Sequence, residues 1–236
     1  MLEYLKNKKI LVVVAHPDDE VLGLGATMNK LISEFSCEIG ALILGEGITS
    51  RSETRNTEKW ENELISHNEN IKSAQNHIGY KFVNTFQLPD NRFDAIDLLD
   101  IIKIVEKEKN EFQPDVIFTH HGGDLNIDHR RTFEAVITAT RPMQNEVVNA
   151  ILTFETPSGT EWRASTDPLH FIPNLFFEVS RENIEAKIKA MESYEFEKRE
   201  YPHPRSPEAL KILAQHWGIT VGKEFAEAFC IVRGVF

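Results

Sequence analysis

The stretch Leu11-Val-Val-Val-Ala-His-Pro-Asp-Asp-Glu-Val-Leu-Gly23 decides the fold that we predict for this chain. Its first five residues are an uninterrupted apolar run rich in β-branched side chains. Such a run is typical of a strand that is covered on both faces of a parallel sheet. A polar turn with Pro17 ends the strand, and an apolar pattern of helical period follows over residues 21–35. The loop beyond the carboxyl end of such a strand is where open α/β sheets bind ligands.

That first loop places one imidazole and three carboxylates within five residues, namely His16, Asp18, Asp19 and Glu20. Burying charged groups beside a core strand is costly unless they are paired or coordinate a metal. The alternative is an ordinary helix start, with Asp19 as the N-cap and Glu20 stabilised by the helix dipole. That alternative explains one carboxylate but not the whole His-Pro-Asp-Asp string. The loop therefore predicts a bound cation.

Length and composition predict a single globular domain over residues 1–236. A chain of 236 residues can bury one sizeable core. Its hydrophobic content of 41% and charged content of 27% are ordinary for a globular protein. The net charge of −11 argues against a nucleic-acid partner and against an anionic membrane surface.

Cysteine usage and the N-terminus predict a cytoplasmic location. Cys37 and Cys230 are far apart, and each lies in an apolar strand-like run, so we expect two buried free thiols and no disulfide framework. This pattern fits a reducing compartment. The apolar run at the N-terminus is too short for a signal peptide, and no segment approaches the length of a membrane-spanning helix. We therefore expect no integral membrane segment.

Strand and helix patterns alternate along the first two-thirds of the chain, which is typical of βαβ units. The fold class predicted is α/β, with a Rossmann-like, mostly parallel sheet flanked by helices and closed by the last strand. The predicted strands are 10–15, 37–44, 80–88, 114–120, 147–155, 174–179 and 225–232. The predicted helices are 20–35, 57–78, 95–111, 132–140, 181–196 and 207–218.

A second polar loop follows the fourth predicted strand, over residues 120–131, and is rich in His and Asp. The carboxyl ends of parallel strands lie on one edge of the sheet, so this loop and the first can meet. One His and one carboxylate from the first loop and one His from the second would form a three-ligand zinc site with a position left for water. Zinc lowers the pKa of such a water towards ~7. The adjacent aspartate of the first loop can then take the proton, so the chemistry predicted is metal-assisted hydrolysis.

Ala15-His16-Pro17-Asp18-Asp19-Glu20, with Asp128-His129-Arg130 downstream, resembles the PIG-L/LmbE family of zinc-dependent N-acetylglucosaminyl deacetylases. The blocks 45–47, 88–92 and 203–206 also resemble blocks of that family. The resemblance implies removal of an N-acetyl group from an N-acetylamino sugar conjugate, a small-molecule substrate. It also implies one Zn²⁺ per chain, although sites of this composition accept other divalent ions as well.

The resemblance implies roles for individual residues. His16, Asp19 and His129 match the zinc ligands, and Asp18 matches the general base. Asp128 would hold an imidazole of the site in one tautomer.

The chain departs from the family at one position. Many members read His-Pro-Asp-His where this chain reads Asn126-Ile-Asp-His129. Asn126 can donate a hydrogen bond to an oxyanion, or it can simply form a turn, but it cannot act as a general acid. The leaving amine must then receive its proton from Asp18 itself or from His203, with His120 and His121 as further candidates, although the last two fit loop structure better.

Three residues are candidates for substrate binding. Asp90 and Arg92 follow the third predicted strand, where Asp90 would either contact sugar hydroxyls or form a turn. Arg51 follows the second strand, and it is either a solvated loop charge or a ligand for a substrate phosphate or carboxylate.

Two other functions stay open at this stage. The domain would be a metal-bound sugar-binding or regulatory module if Asn126 makes catalysis weak. It would instead be a zinc hydrolase of a different amide or ester if the bond attacked is not an N-acetyl group. The group attached to the sugar is not determined by these residues, and apolar residues in the last third of the chain leave a homo-oligomer open.

Overall fold

The structure is a computed structural model and describes residues 1–235. Across these residues seven strands form one sheet in the order β3-β2-β1-β4-β5-β7-β6. The strands are β1 (Lys9–Val14), β2 (Glu38–Gly45), β3 (Phe82–Leu88), β4 (Val116–His120), β5 (Ala150–Phe154), β6 (Leu175–Glu178) and β7 (Ala226–Gly234).

The sheet is mostly parallel. β3, β2, β1, β4 and β5 run in one direction, whereas β7 pairs antiparallel with both β5 and β6. The Rossmann-like α/β fold class is therefore confirmed. The last strand does not close the sheet at its edge, because it inserts between β5 and β6.

Helices cover both faces of this sheet. They are α1 (Leu2–Leu5), α2 (Asp19–Phe35), α3 (Glu61–Ile78), α4 (Leu98–Phe112), α5 (Ile127–Ala139), α6 (Arg181–Glu192) and α7 (Pro207–Thr220). None of the helices in residues 1–235 has the length and apolar character needed to cross a membrane.

The apolar run of β1 forms the centre of the core because its side chains alternate between the two faces. Ile10, Val12 and Val14 pack with residues of α2, α3 and α6, and Leu11 and Val13 pack with α4 and α5. All five of these side chains are fully buried. The continuous apolar stretch is thus explained by helices on both sides.

Several predicted boundaries differ from the structure. α5 begins at Ile127, five residues before the prediction, because the side chain of Asn126 accepts a hydrogen bond from the N–H of Asp128 and caps the helix. α3 and α4 start about one turn later than predicted, and α6 ends at Glu192 instead of residue 196.

The two cysteines are free in the structure, as predicted. Cys37 is buried just before β2. The expectation of a buried Cys230 was wrong, since that residue is partly exposed in β7, where burial declines toward the end of the strand.

Candidate metal and catalytic site

The first and second polar loops meet at one edge of the sheet, because β1 and β4 are parallel neighbours with Val13 opposite Thr119. His16, Asp18 and Asp19 directly follow β1. Asp128 and His129 lie in the first turn of α5, which starts shortly after β4. Topology therefore brings together side chains that are more than a hundred residues apart in the chain.

Three candidate metal ligands converge here. Asp19 Oδ2 lies 3.4 Å from His16 Nδ1 and 3.4 Å from His129 Nε2. One ligand atom from each of the three residues lies within 4.8 Å of the others. All three are nearly buried, with exposures of 9% for His16, 1% for Asp19 and 4% for His129. Two imidazole nitrogens and one carboxylate oxygen form the donor set that zinc prefers.

Two further carboxylates orient the imidazoles. His16 Nε2 lies 2.9 Å from Asp128 Oδ2, and His129 Nδ1 lies 3.2 Å from Asp124 Oδ2. Each ring thus directs one nitrogen toward a supporting carboxylate and the other toward Asp19. Supporting carboxylates of this kind fix the tautomer of metal-binding histidines.

The charged groups of this cluster shift one another's pKa values. Burial by itself lowers the pKa of His16, but the hydrogen bonds with Asp128 and Asp19 outweigh burial and raise that pKa well above its ordinary value. Burial also lowers the pKa of His129, yet Asp19 and Asp124 raise it to about 9. Burial would raise the pKa of Asp19, but His129 and His120 hold it well below the usual range. The neighbouring histidines therefore keep the Asp19 carboxylate ionised.

The excess of buried acidic side chains over permanent cations fits a divalent cation. Six acidic side chains of this cluster are at most 4% exposed: Asp18, Asp19, Glu20, Asp90, Asp124 and Asp128. Buried carboxylates are costly unless they are paired or coordinate a metal. Arg205 is a permanent cation in contact with one of them, Asp18. The donor set and this charge imbalance both fit a bound metal ion.

A second group, His16, Asp90 and Asp128, also has ligand atoms within 4.8 Å of one another. It is less suited to an ion because Asp128 Oδ2 already accepts from the N–H of Asn91 at 2.6 Å and Asp128 Oδ1 from the N–H of Phe93 at 2.9 Å.

Asp18 lies beside the candidate ligands in an unusual backbone conformation. Its φ is +102°, a value that non-glycine residues rarely adopt outside strained, functional positions. Its N–H donates to Glu20 Oε2 at 3.2 Å, and Arg205 Nη1 donates to its Oδ2 at 2.9 Å. Burial raises the pKa of Asp18 well above its ordinary value, against the opposing effect of Arg205. A carboxyl group with a raised pKa at this position can take up a proton and release it again.

Glu20 stabilises the backbone conformation of Asp18 by accepting the hydrogen bond from its N–H. It is fully buried, and its Oε1 accepts hydrogen bonds from the hydroxyls of Tyr194 at 2.5 Å and Tyr80 at 3.4 Å. Burial raises the pKa of Glu20 to about 7, although the bond from Tyr194 opposes that rise.

His120 and His121 are not among the cavity residues found in positions 1–235, although His120 Nε2 lies 3.4 Å from Asp19 Oδ2. His120 Nε2 accepts from the N–H of Ala15 at 2.9 Å, and its Nδ1 lies 2.9 Å from Thr156 Oγ1, so both ring nitrogens are engaged. Burial, followed by the charge of His129, lowers the pKa of His120 to about 4. His121 Nε2 lies 2.9 Å from the carbonyl oxygen of Leu169.

A cavity of about 300 Å³ opens onto this cluster. Among the predicted site residues, those that line it are His16, Asp18, Arg51, Asp90, Asn126, His129 and His203. Arg92 is not among the lining residues found in positions 1–235, and its Nη2 lies 3.5 Å from the carbonyl oxygen of Glu53. The structure thus brings the predicted residues together with the exception of Arg92.

Two of the lining residues, Asn126 and Asp90, also form hydrogen bonds that stabilise the fold. The Asn126 side-chain oxygen caps α5, which leaves its Nδ2 amide group as a donor. Asp90 accepts hydrogen bonds from the N–H of Ser50 and the side chain of Asn91, so it also organises the turn after β3.

The sequence motifs do not identify three further residues of the site, Asp124, Glu197 and Arg205. Arg205 belongs to the block 203–206, which was recognised only as a whole, and Asp124 lies within the second polar loop. Glu197 has no local signal, because it follows α6 in a stretch of mixed charge and reaches the cavity only through the tertiary fold.

Comparison with known proteins agrees with this site. The family model for PIG-L, described as GlcNAc-PI de-N-acetylase, matches residues 11–140. An uncharacterised deacetylase of Escherichia coli K12, YaiS, is 29% identical over 194 residues, covering 80% of this chain and 91% of the relative. Diacetylchitobiose deacetylase of Thermococcus kodakarensis is 25% identical over 248 residues, covering 97% of this chain and 85% of the relative.

Solved structures show the same fold. N,N'-diacetylchitobiose deacetylase of Pyrococcus horikoshii superposes with a TM-score of 0.74 at 20% identity, covering 96% of this chain and 84% of that one. The hydratase GalB of Pseudomonas putida KT2440 superposes with a TM-score of 0.71 at 17% identity, covering 97% and 98%. The fold alone therefore does not decide the reaction. The family match covers the first polar loop and His129 of α5, a candidate metal ligand, and it assigns this chain to the PIG-L family of deacetylases.

Proposed function

We propose that this protein is a zinc-dependent hydrolase that removes the acetyl group from an N-acetylamino sugar conjugate of the N-acetylglucosamine type. The observation that carries the proposal is the convergence of His16, Asp19 and His129. It lies beside Asp18, which lines the same cavity as His16 and His129. The deacetylase relatives and the family match support the choice of an N-acetyl amide as the bond attacked.

His16, Asp19 and His129 would hold the metal ion. When bound, zinc lowers the pKa of water towards ~7 and polarises a carbonyl group. Asp128 and Asp124 keep the two imidazoles in the tautomers that leave His16 Nδ1 and His129 Nε2 free to ligate.

Asp18 acts as the general base and takes a proton from the attacking water. The Nδ2 amide of Asn126 donates a hydrogen bond to the acetamide oxygen as negative charge develops on it. The carbon–nitrogen bond then breaks, and the products are acetate and the free amino sugar. Arg205 holds Asp18 in place through the 2.9 Å bond to its Oδ2.

The proton for the leaving amine comes from Asp18, which has just received one. The raised pKa of that carboxyl, caused chiefly by burial, suits it to both steps. His203 also lines the cavity, but the N–H of Arg205 donates to its Nδ1 and its pKa is lowered by burial, Arg205 and Arg199. A His203→Gln variant that retains acetate release supports this choice over His203 as the acid.

The direct test combines metal content with acetate release from a panel of N-acetylglucosaminides. We expect about one zinc per chain in the wild type and none in His129→Ala. Asp18→Asn should keep the zinc while kcat falls by about 10²- to 10⁴-fold. Zinc binding without acetate release from any substrate would favour a binding module or the hydrolysis of another bond. Full turnover in Asp18→Asn would refute the assignment of the base.

A further inference from the structure

Two arginines of the cavity wall meet at a single main-chain oxygen. Arg51, in the turn after β2, donates from Nη2 to the carbonyl of Phe196 at 2.8 Å. Arg199, between α6 and α7, donates from Nη1 to the same carbonyl at 2.7 Å. Both side chains line the cavity. Two guanidinium groups held so close repel each other, and a carboxylate or another anion beside them lowers that repulsion.

Two carboxylates of the cavity, Asp18 and Glu197, are already engaged by other guanidinium groups. Glu197 bridges Arg51 and Arg205, with distances of 2.6 Å from Oε1 to Arg51 Nη2 and 2.6 Å from Oε2 to Arg205 Nη1. Arg205 also contacts Asp18. These two carboxylates therefore pair with two arginines, Arg51 and Arg205, and neither reaches Arg199.

Arg199 has no acidic partner in the described chain. Its Nη1 donates to the carbonyls of Phe196 and Lys198, and within residues 1–235 no carboxylate lies within 4.0 Å of its guanidinium group. Glu192, Glu195 and Glu200 line a neighbouring groove that shares Arg199. They are absent from the lining of the catalytic cavity found in the described residues.

The charges that act on His203 are those of two arginines of this wall of the cavity. His203 lines the cavity, and its pKa is lowered first by burial and then by the charges of Arg205 and Arg199. This local positive field contrasts with the net charge of −11 for the chain as a whole.

We propose that Arg199, with Arg51 beside it, binds an anionic group carried by the part of the substrate attached to the amino sugar. The group is a phosphate or a carboxylate, the two anions that guanidinium groups bind through paired hydrogen bonds. The substrate is then an anionic sugar conjugate. This inference rests on the proposed function, because it places the reacting acetamide in the same cavity.

The test compares substrates that differ only in charge. Acetate release is measured with zinc-loaded enzyme on methyl N-acetylglucosaminide, on N-acetylglucosamine 1-phosphate and on the carboxymethyl glycoside. The quantity of interest is the ratio of kcat/KM for each anionic substrate to that for the neutral one. We expect this ratio to exceed one in the wild type and to fall by about tenfold in Arg199→Gln, the equivalent of one lost charge-assisted contact. The anion with the larger ratio identifies phosphate or carboxylate as the natural group.

Lys198→Gln is the matched control. It removes the same charge one residue away, but Lys198 lines the neighbouring groove and is not among the cavity residues of the described chain. Its ratio should equal that of the wild type. A ratio that is equally unchanged in Arg199→Gln would overturn the proposed anion site while leaving deacetylation intact.

A binding measurement separates this inference from the proposed reaction. N-acetylglucosamine 1-phosphate is titrated calorimetrically into zinc-loaded Asp18→Asn, with and without Arg199→Gln. We expect the second substitution to weaken binding by about tenfold. That result, combined with no acetate release from the zinc-loaded wild type on any substrate of the panel, would uphold the anion site and refute the reaction. Equal binding by the two proteins would refute the anion site.

Discussion

Asp128 is a single buried side chain that contacts both the candidate metal site and the turn after β3. It is fully buried, and its two oxygens hold the His16 ring and the backbone N–H groups of Asn91 and Phe93. One carboxylate therefore orients a candidate ligand and also fixes the turn after β3.

We predict that Asp128→Asn weakens zinc binding by about 10- to 100-fold, because an amide orients the His16 ring less strongly than a carboxylate. A chelator competition titration on the folded variant measures the dissociation constant. An unchanged constant would contradict the supporting role, and circular dichroism before the titration checks that the fold is retained.

Asn126 has two roles that substitution can separate. Its side-chain oxygen caps α5, whereas its amide nitrogen is the proposed oxyanion donor. Serine caps helices about as well as asparagine but offers no amide. We predict that Asn126→Ser keeps its melting temperature while kcat falls on the order of 10²-fold. Asn126→Ala, which also loses the cap, should in addition lose about 1 kcal/mol of stability. Wild-type kcat in Asn126→Ser would leave this residue a helix cap alone.

At the scale of elements, the close packing of α2 on β5 positions the first polar loop at the edge of the sheet. A Cβ atom added at Gly23 would lie 2.2 Å from Phe154 Cδ2, and Phe154 is fully buried. The next residue, Leu24, has a non-helical φ of −149°, so the helix is irregular at this contact.

We predict that Gly23→Ala destabilises the protein by about 1 to 3 kcal/mol, because the Phe154 ring has no room to move away. Gly25→Ala is the control, since its nearest neighbour is Cγ of the Lys187 side chain at 3.1 Å. Urea unfolding measures both variants. A smaller loss in Gly23→Ala than in Gly25→Ala would show that the close approach to Phe154 is not limiting.

The contact between β5 and α7 makes the free energy of unfolding depend on pH. Glu155, just after β5, accepts a hydrogen bond from the indole of Trp217 in α7. Burial raises the pKa of Glu155 from 4.5 to about 7, although the Trp217 bond opposes the rise. Since the unfolded chain releases this proton at lower pH than the folded one, the group favours unfolding increasingly as pH rises from about 4.5 to about 7.

We predict that Glu155→Gln gains stability relative to the wild type as pH rises through that interval, with a constant difference above it. Urea unfolding at a series of pH values gives the difference in free energy of unfolding. Glu195→Gln, at an exposed position, serves as the control and should show no such trend. A difference for Glu155→Gln that does not vary with pH would refute the prediction.

At the scale of the whole molecule, the proposed metal joins two distant parts of the chain. His16 and Asp19 follow β1, and His129 belongs to α5. A metal that binds the folded chain alone stabilises it by about 2.7 kcal/mol at a concentration 100 times its dissociation constant.

We predict that chelation lowers the melting temperature by about 5 °C or more, given that 1 kcal/mol corresponds to about 2–4 °C at this chain length. Added zinc should restore it. In His129→Ala the melting temperature should be the same with chelator and with zinc. A metal-dependent shift that persists in His129→Ala would place the ion elsewhere.

The sequence by itself determined the fold class and the first polar loop. The apolar run of β1, the His-Pro-Asp-Asp string and the alternating strand and helix patterns are local features, because periodicity and turn chemistry act over a few residues. The resemblance to the PIG-L/LmbE family rests on the same short motifs, and the family match confirms it.

The tertiary structure decided what depends on distant contacts. One such contact is the insertion of β7 between β5 and β6. Another is the hydrogen bond from Arg205 to Asp18. A third is the meeting of Arg51 and Arg199 at one carbonyl. No short-range pattern encodes these contacts, because each joins segments that approach one another only when the whole core packs.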